Sequence, residues 1–341
     1  MAVSIKVLKE FDFGQAEFAP EVLEGIAREN LWNLWVPESY GGLETALPDG
    51  LQKLRELAKI DGSLGWTVTL CSGANFFIGN LQKNVADEIF IGSGRPVCFG
   101  GSGGVFGTAD KSGEGYVISG TWKYATGAPF LTHFTLNAKI RENGKGVLQA
   151  DGSPLIRSFV LKKEEVRVIR DWNTMGLKAT ATDSFEVSSK WVHGKYSFTY
   201  DEVHRPQAIF RVPFGLFADL TLWVNYIGMA AHFWEEAKKT GGGEKKLHAL
   251  HETIERGDAA VIAYAERTQG RIAAGEPVPE AWTKEVHQEA ADSVRALSQG
   301  IMEVYPCLGI RAARKGHGLN QVFRDFFTAT QHHIFRIPEE D

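Results

Sequence analysis

The period of the hydrophobic positions changes twice along the chain of 341 residues. Up to residue 95, apolar residues recur at helical spacing, which predicts helices over residues 21–32, 51–60 and 64–81. The last of these is apolar almost all round, so it is expected at the centre of its domain. From Pro96 onward, short apolar runs alternate with Gly, Asn, Asp and Ser, as in strands joined by turns. The helical period returns after residue 206 and continues almost to the end of the chain.

These periods predict an α+β fold of several domains. An N-terminal helical domain is expected over residues 1–95 and an antiparallel β-barrel over residues 96–205. Four long amphipathic segments then predict a C-terminal four-helix bundle over residues 206–341. The last bundle helix is expected to run from Leu319 to Phe335. Asp61 or Ser63 is the predicted N-cap of the helix that begins at residue 64.

Composition and charge narrow the range of functions. A formal net charge of −5 gives no reason to expect a nucleic-acid or membrane partner. The three cysteines lie far apart, which fits neither a disulfide framework nor a metal site. The N-terminus lacks the pattern of a signal peptide, and no apolar run approaches the roughly 20 residues of a spanning helix. A cytoplasmic protein without a bound metal is therefore expected.

Candidate chemistry is concentrated at the end of one predicted strand, in the middle of the chain. Trp122 and Tyr124 offer aromatic faces to a flat ring, and Thr126 offers a hydroxyl group to the edge of that ring. Gly127 follows directly. The alternative interpretation is a strand end with an aromatic residue in the core.

A glycine-rich run from Gly101 to Gly107 precedes this stretch. Its spacing does not match the dinucleotide-binding fingerprint, and the residues after it do not begin a helix. Two interpretations stay open. The run is either a flexible connection or a loop whose backbone N–H groups and Ser102 meet a polar edge of a ligand.

Near the C-terminus, Asp325 and His332 are seven residues apart in the last predicted helix. This spacing places them on one face. A surface or hydrogen-bonded core position is the default for such a histidine. If His332 lies in a site, it is the residue type best suited to proton transfer near neutral pH.

Together, these stretches resemble the acyl-CoA dehydrogenase superfamily of flavoproteins. Residues 34–42 (LWVPESYGG), 115–127 (GYVISGTWKYATG) and 175–182 (MGLKATAT) are similar to three segments of that superfamily. The resemblance implies the same order of helical domain, β domain and four-helix bundle. It also implies a bound flavin, FAD or FMN, and assembly as a homotetramer or homodimer.

Two chemistries occur in the superfamily. Its dehydrogenases remove a proton from an acyl-CoA with a carboxylate, commonly in a Tyr-Glu-Gly-Thr motif that is absent here; the nearest candidate elsewhere is Asp219. Its two-component monooxygenases take reduced flavin from a partner reductase and oxygenate a small molecule with O₂. Residues 120–127 are similar to the Gly-x-Trp-x-Phe-x-Ser-Gly segment of the monooxygenases. Residues 324–332 resemble the last helix of the same branch.

The resemblance thus implies a flavin-dependent oxidoreductase, closest to the monooxygenase branch, that acts on an aromatic or other apolar small molecule. An acyl-CoA dehydrogenase is the alternative, and a catalytically silent member is a further one. The implied catalytic residues are His332, as acid or base, and Thr126, as a hydrogen-bond donor to the flavin. The expected cofactor contacts are Trp122, Tyr124, Thr126, Gly127, Gly101, Ser102, Thr180 and Thr182.

Overall fold

Helices form the two ends of the described chain, and strands form its middle. The structure is a computed structural model that describes residues 5–92, 94 and 96–335. The α-helices are α1 (Pro20–Arg28), α2 (Leu47–Ile60), α3 (Gly62–Asn75), α4 (Lys83–Ala86), α5 (Phe214–Thr240), α6 (Glu244–Ala273), α7 (Glu280–Val304) and α8 (Gly318–Ala329). The strands are β1 (Phe99–Ser112), β2 (Gly115–Ala125), β3 (His133–Glu142), β4 (Lys145–Gly146), β5 (Ile156–Lys162), β6 (Arg167–Ile169), β7 (Asp183–His193) and β8 (Ser197–Phe198).

The order of helices, strands and helices is the predicted one, whereas the division into three domains stays a prediction. The cap of α3 is confirmed, because the Asp61 side chain accepts a hydrogen bond from Leu64 N at 2.9 Å. Two helices are shorter than predicted. α3 ends at Asn75 and α8 at Ala329, and a tight helical turn follows in each case.

The strands form one mixed sheet in the order β6-β7-β2-β1-β3-β5-β8, with β4 paired to β3. Strand β1 runs parallel to β3, so the prediction of a purely antiparallel sheet was wrong at this pair. The sheet curls like a barrel. Phe134 on β3 and Phe185 on β7 have ring centroids only 4.7 Å apart, although β1 and β2 lie between their strands.

The glycine-rich run is part of β1 and not a flexible connection or loop. It pairs with β3 through two register shifts, as in a bulged strand. An added Cβ at Gly107 would clash with the Trp122 ring, so glycine allows this ring to pack directly over β1. The packing of the Trp122 ring against β1 therefore explains why residue 107 is a glycine.

Helix α5 is the central helix of the C-terminal half. It is long and apolar enough to cross a membrane by length and composition, contrary to the expectation from the sequence. However, 83% of its most apolar window is buried inside the protein, as is typical of a core helix. Helix α2, from the N-terminal half, packs against both α5 and α3.

Candidate functional site

A cavity of about 130 Å³ lies between α3, the beginning of β1 and α5, and we call it the α3–α5 cavity. Its volume is similar to that of apolar cavities that take a single benzene ring. Large apolar and aromatic side chains form most of its wall. They are Leu70, Phe77, Tyr200, Phe214, Phe217 and Leu222.

The polar side chains of this cavity all carry hydroxyl groups. Every residue that lines it within the described part of the chain is uncharged at neutral pH, so an ionic ligand would find no counter-charge in the wall. The hydroxyl groups belong to Thr69, Ser102, Thr126, Thr135, Tyr200 and Thr221.

Three threonines form a hydrogen-bonded chain that begins at this cavity. Thr180 Oγ1 donates its only hydrogen to Leu177 O at 2.7 Å. Thr182 Oγ1, 2.7 Å from Thr180 Oγ1, must therefore be the donor in that pair. By the same argument, Thr126 Oγ1 donates to Thr182 Oγ1 at 3.0 Å.

The direction of these hydrogen bonds determines what the Thr126 hydroxyl group can offer to a ligand in the cavity. Its hydrogen is already donated inside the protein, so its oxygen meets the cavity as an acceptor. In this arrangement Thr126 donates to Thr182 and offers an acceptor to the cavity, and its predicted role toward a flavin stays a prediction. Thr180 is fully buried, and its role is to hold Thr182, which in turn holds Thr126.

The turn over residues 177–182 is fixed to the end of β2 by the backbone. Leu177 and Ala181 have positive φ angles, of 50° and 43°, which tighten the turn around the threonines. Gly127 N donates to Thr180 O at 2.8 Å. Two of the segments that carried the family resemblance therefore meet at one point.

Trp122 is a core residue, which corrects its prediction as a cofactor contact. Its side chain is 0% exposed, and its ring stacks on Phe185 with centroids 5.6 Å apart. Its Nε1 donates to Asn137 O at 2.9 Å. Both the face and the polar edge of the indole are thus used inside the sheet.

Tyr124 has the opposite environment. A register shift between Trp122 and Ala125 interrupts the pairing of β2 with β7, and Tyr124 takes a φ of 69° there. The side chain turns outward and is 65% exposed. It is the aromatic face at this strand end that a planar ligand can reach.

His332 lies beyond the end of α8 and outside the residues that line the α3–α5 cavity. Its ring packs edge-on against Trp66 of α3, with centroids 5.5 Å apart. Burial, and to a smaller degree the neighbouring His333, lowers the pKa of His332 to about 4. The imidazole is therefore neutral at pH 7. Its catalytic role stays a prediction.

The expectation that Asp325 and His332 share a helical face was wrong, because α8 ends between them. The Asp325 side chain instead points toward residues 177–182, where its Oδ1 accepts a hydrogen bond from Leu177 N at 2.6 Å. Gln321 Nε2 donates to Asp61 Oδ2 at 2.8 Å. Burial raises the pKa of Asp325 to about 6, and burial followed by the charge of Asp325 raises that of Asp61 to about 7.

Asp219, the candidate base of the dehydrogenase alternative, is used elsewhere. Its Oδ1 lies 3.0 Å from His287 Nδ1 on α7, and burial raises its pKa. It is not among the residues that line the α3–α5 cavity, although its neighbours Ala218 and Thr221 are.

The residues at the end of β2 fit a flavin ring in their chemistry. Tyr124 supplies an open aromatic face, and the oxygen of Thr126 supplies an oriented acceptor for an N–H group of the ring. Ser102 and Gly101 lie across the same cavity. Gly101 also has a structural cause, because an added Cβ would clash with the carbonyl oxygen of Thr135 on β3.

The sequence analysis missed a polar pair between α3 and α5. Asn225 Nδ2 donates to Thr69 Oγ1 at 2.5 Å, and both side chains are buried. The only signal in the sequence was the presence of polar residues within helices that are otherwise apolar all round. That signal does not reveal which residues meet.

The chain is similar in sequence to known flavin-dependent monooxygenases. No family model matches the chain. It is 26% identical over 250 residues to the indole-3-acetate monooxygenase of Acinetobacter baumannii, which covers 72% of this chain but only 61% of that relative. It is 22% identical to the flavin-dependent monooxygenase oxygenase subunit HsaA of Rhodococcus jostii, over 91% of this chain and 86% of the relative.

Solved structures agree in fold. The HsaA monooxygenase of M. tuberculosis superposes with a TM-score of 0.87 at 16% identity, covering 94% of this chain and 88% of its own. XiaF from Streptomyces sp., in complex with FADH2 and glycerol, gives 0.85 at 19% identity, with 94% and 86% covered. TdsC from Paenibacillus sp., in complex with FMN and indole, gives 0.76 at 18% identity, with 92% and 87% covered. The chain therefore has the fold of these monooxygenases.

Proposed function

We propose that this chain is the oxygenase component of a flavin-dependent monooxygenase. It uses reduced FMN or FAD and O₂ to oxygenate an aromatic or other apolar small molecule. We place it in the acyl-CoA dehydrogenase superfamily, in the monooxygenase branch. A separate reductase supplies the reduced flavin, and the oxygenase assembles as a homotetramer or homodimer in the cytoplasm.

The observation that carries this proposal is the α3–α5 cavity with Thr126 in its wall. An uncharged, largely apolar cavity suits an apolar substrate. Thr126 belongs both to this wall and to the strand end that fits the flavin. Substrate and cofactor thus meet at one residue.

Three residues at the strand end would hold the flavin: Tyr124 by its ring face, Thr126 by its hydroxyl oxygen, and Gly127 by allowing close approach. Thr182 and Thr180 position Thr126 and need not touch the cofactor. The bound flavin would supply the electrons with which O₂ is activated. The protein supplies the orientation of both reactants and the dry surroundings.

His332 is the proposed proton carrier of the site. Its Nδ1 accepts from Ile334 N at 3.4 Å, so the hydrogen of the neutral ring is on Nε2. With a pKa of about 4, His332 is neutral at pH 7, so it offers a hydrogen bond through Nε2–H and is not a preformed acid. This refines the expectation of an acid or base near neutral pH.

The names of similar proteins support the proposal. The relatives are monooxygenases, and one is named as an oxygenase subunit, which fits a separate reductase. Similar structures hold FADH2 in one case and FMN in another, so both flavins are kept as candidates.

Flavin binding in both redox states is the first test. We expect the protein to bind FMN or FAD under anaerobic conditions, and to bind the reduced form more tightly, because Thr126 offers an acceptor. Addition of ¹⁸O₂ and an aromatic substrate should then place one labelled oxygen atom in the product. A protein that binds neither flavin in either redox state is a catalytically silent member. Bleaching of bound FAD by an acyl-CoA, lost in Asp219→Asn, would instead establish a dehydrogenase.

A substitution at Thr126 tests the site itself. Thr126→Val keeps the shape of the side chain and removes the acceptor, so affinity for reduced flavin should fall about three- to tenfold. Thr253→Val removes a hydroxyl group whose hydrogen bonds lie within α6 and should leave that affinity unchanged. Equal effects of the two substitutions on flavin affinity would show that Thr126 is not part of the flavin site.

A further inference from the structure

The α3–α5 cavity contains one hydroxyl group whose environment is unlike those of the other threonines in its wall. Thr221 donates its hydrogen to Phe217 O at 2.8 Å, and Thr135 donates to Gly100 O at 3.4 Å. The hydrogen of Thr126 is donated to Thr182. Each of these hydroxyl hydrogens is therefore already used within the protein.

The hydrogen of Thr69 is not used in this way. Asn225 Nδ2 donates to Thr221 O at 3.0 Å, and a carbonyl oxygen can only accept, which fixes the orientation of the amide. The same nitrogen donates to Thr69 Oγ1 at 2.5 Å. Thr69 is therefore the acceptor toward Asn225. Among the described residues, no acceptor forms a hydrogen bond with its own hydrogen. The Ser102 hydroxyl, which accepts from Gly104 N at 3.3 Å, also keeps its hydrogen, but no buried side-chain amide in the described part of the chain orients it.

Burial makes this free donor significant. Thr69 lines the cavity but is almost inaccessible to solvent, and Asn225 behind it is fully buried. An unused donor in such a place costs free energy unless a ligand accepts from it. The Asn225 amide also holds the hydroxyl in one position, so the donor is oriented before a ligand binds.

We propose that Thr69, held by Asn225, determines substrate specificity by donating a hydrogen bond to an acceptor atom of the substrate. The substrate class is an uncharged aromatic of about one ring that carries such an acceptor, for example a carbonyl oxygen. Aromatic carboxylates are excluded, because the described wall has no cation to pair with them. This inference rests on the proposed function for its reaction but not for its binding test.

Binding of three ring compounds of similar size tests the proposal without turnover. Acetophenone has a neutral acceptor, benzoate has a charged one and ethylbenzene has none. Their affinities are measured by calorimetry on the whole protein, with and without oxidised FMN. Acetophenone should bind at least about three- to tenfold more tightly than either of the others. Failure of all three to bind, or equal affinity for benzoate, overturns the proposal.

Variants then assign the preference to Thr69. In Thr69→Val, the ratio of acetophenone to ethylbenzene affinity should fall by about three- to tenfold, and Thr69→Ser should restore it. Thr221→Val is the matched control, because it removes a hydroxyl group from the same wall whose hydrogen is not available to a ligand. Its ratio should equal that of the unchanged protein. A thermal melt of each variant confirms folding, and an unchanged ratio in folded Thr69→Val overturns the assignment.

The outcome is separable from that of the proposed function. The binding series uses no reduced flavin and no O₂, so it can succeed in a protein that does not oxygenate. Conversely, flavin binding depends on the end of β2 and not on Thr69. Absence of the acetophenone preference in the unchanged protein, with intact flavin binding, would therefore count against this inference alone.

Discussion

The hydroxyl groups of Thr126, Thr180 and Thr182 are a single unit, because each has only one hydrogen to donate. The carbonyl oxygen of Leu177 takes the first hydrogen, and this choice fixes the direction of the two bonds that follow. A threonine that could act as donor or acceptor in isolation becomes an acceptor here. Reduced flavin has an N–H group at the ring nitrogen where oxidised flavin has an acceptor. In the proposed flavin site, this direction would therefore favour the reduced form.

Thr182→Val should therefore weaken the preference for reduced over oxidised flavin. Without Thr182 as acceptor, the Thr126 hydrogen can turn toward the cavity, and the ratio of the two affinities should fall by about three- to tenfold. Anaerobic titrations with each redox state measure this ratio. Thr182→Ser keeps the hydroxyl group and should keep the ratio. An unchanged ratio in Thr182→Val would show that the direction of these hydrogen bonds does not influence the preference for reduced flavin.

Trp122 and Tyr124 are two residues apart and have different roles. The first is enclosed by the sheet and the second projects from it, because β2 shifts its register between them. A pair of substitutions at these positions separates stability from ligand binding.

Trp122→Phe should lower the free energy of unfolding by about 1–3 kcal/mol, because it leaves the buried carbonyl of Asn137 without its donor. Flavin affinity should change little. Tyr124→Ala should change stability by less than about 0.5 kcal/mol, as expected of an exposed side chain, yet weaken flavin binding by about three- to tenfold. Denaturant unfolding and flavin titration measure the two effects. Weaker flavin binding in Trp122→Phe, together with lower stability in Tyr124→Ala, would contradict both roles.

Helix α8 stops at Ala329, and this early end determines what its two candidate residues can do. Asp325, still within the helix, is held against α3 and the turn over residues 177–182. His332, beyond its end, is free to pack on Trp66. The two buried carboxyl groups of Asp61 and Asp325 consequently lie close together, at the junction of α3 and α8.

This junction should make stability depend on pH. The pKa of Asp61 is raised to about 7 and that of Asp325 to about 6, above the value of 3.8 for an unperturbed aspartate. Between these values, the folded protein binds more protons than the unfolded chain. Stability from these groups is complete at acidic pH and is lost as pH rises toward 7, by on the order of 1 kcal/mol per pH unit.

Asp325→Asn should remove much of this loss. Asparagine keeps an acceptor for Leu177 N and adds a donor toward Asp61, so stability should fall less between about pH 4 and about pH 7 than in the unchanged protein. Urea unfolding at several pH values measures the slope. The exposed Asp292 has a lowered pKa and titrates below this range, so Asp292→Asn should keep the original slope. Parallel slopes for the two variants would rule out the carboxyl pair as the cause.

Across the whole molecule, α2 joins the helices from the two ends of the chain. Ala58 is the contact point. An added Cβ at Gly65 of α3 would clash with its backbone, and one at Gly228 of α5 would lie 2.8 Å from its Cβ. The two glycines thus let three helices approach closely, and these helices include the two walls of the α3–α5 cavity. The same contact that stabilises the fold also sets the position of Thr69 opposite Asn225.

Gly228→Ala should therefore destabilise the protein by about 1–3 kcal/mol and widen the separation of α2 and α5. The added methyl group would also clash with the carbonyl oxygen of Arg55, which cannot move without displacing α2. Gly270→Ala is the matched control in α6, where an added Cβ meets no atom within 4 Å. It should stabilise the protein by up to about 1 kcal/mol through helix propensity. Thermal unfolding compares the two, and a stable Gly228→Ala would disprove the close contact.

The sequence by itself determined the order of the elements, because hydrophobic periodicity is a local property of helices and strands. It also identified the strand end at Tyr124 and Thr126, since aromatic, hydroxyl and glycine residues follow one another there. It could not separate Trp122 from Tyr124. Their environments differ through a register shift, which depends on how β2 meets β7.

The tertiary structure decided the rest. Whether β1 is a strand depends on its pairing with β3, and the direction of the Thr126 hydrogen bond depends on a turn more than 50 residues away in the chain. Thr69 and Asn225 are 156 positions apart, so local spacing does not reveal that they meet. Packing brings such residues together, and a hydrogen bond gains its direction only when both partners and their other neighbours are in place.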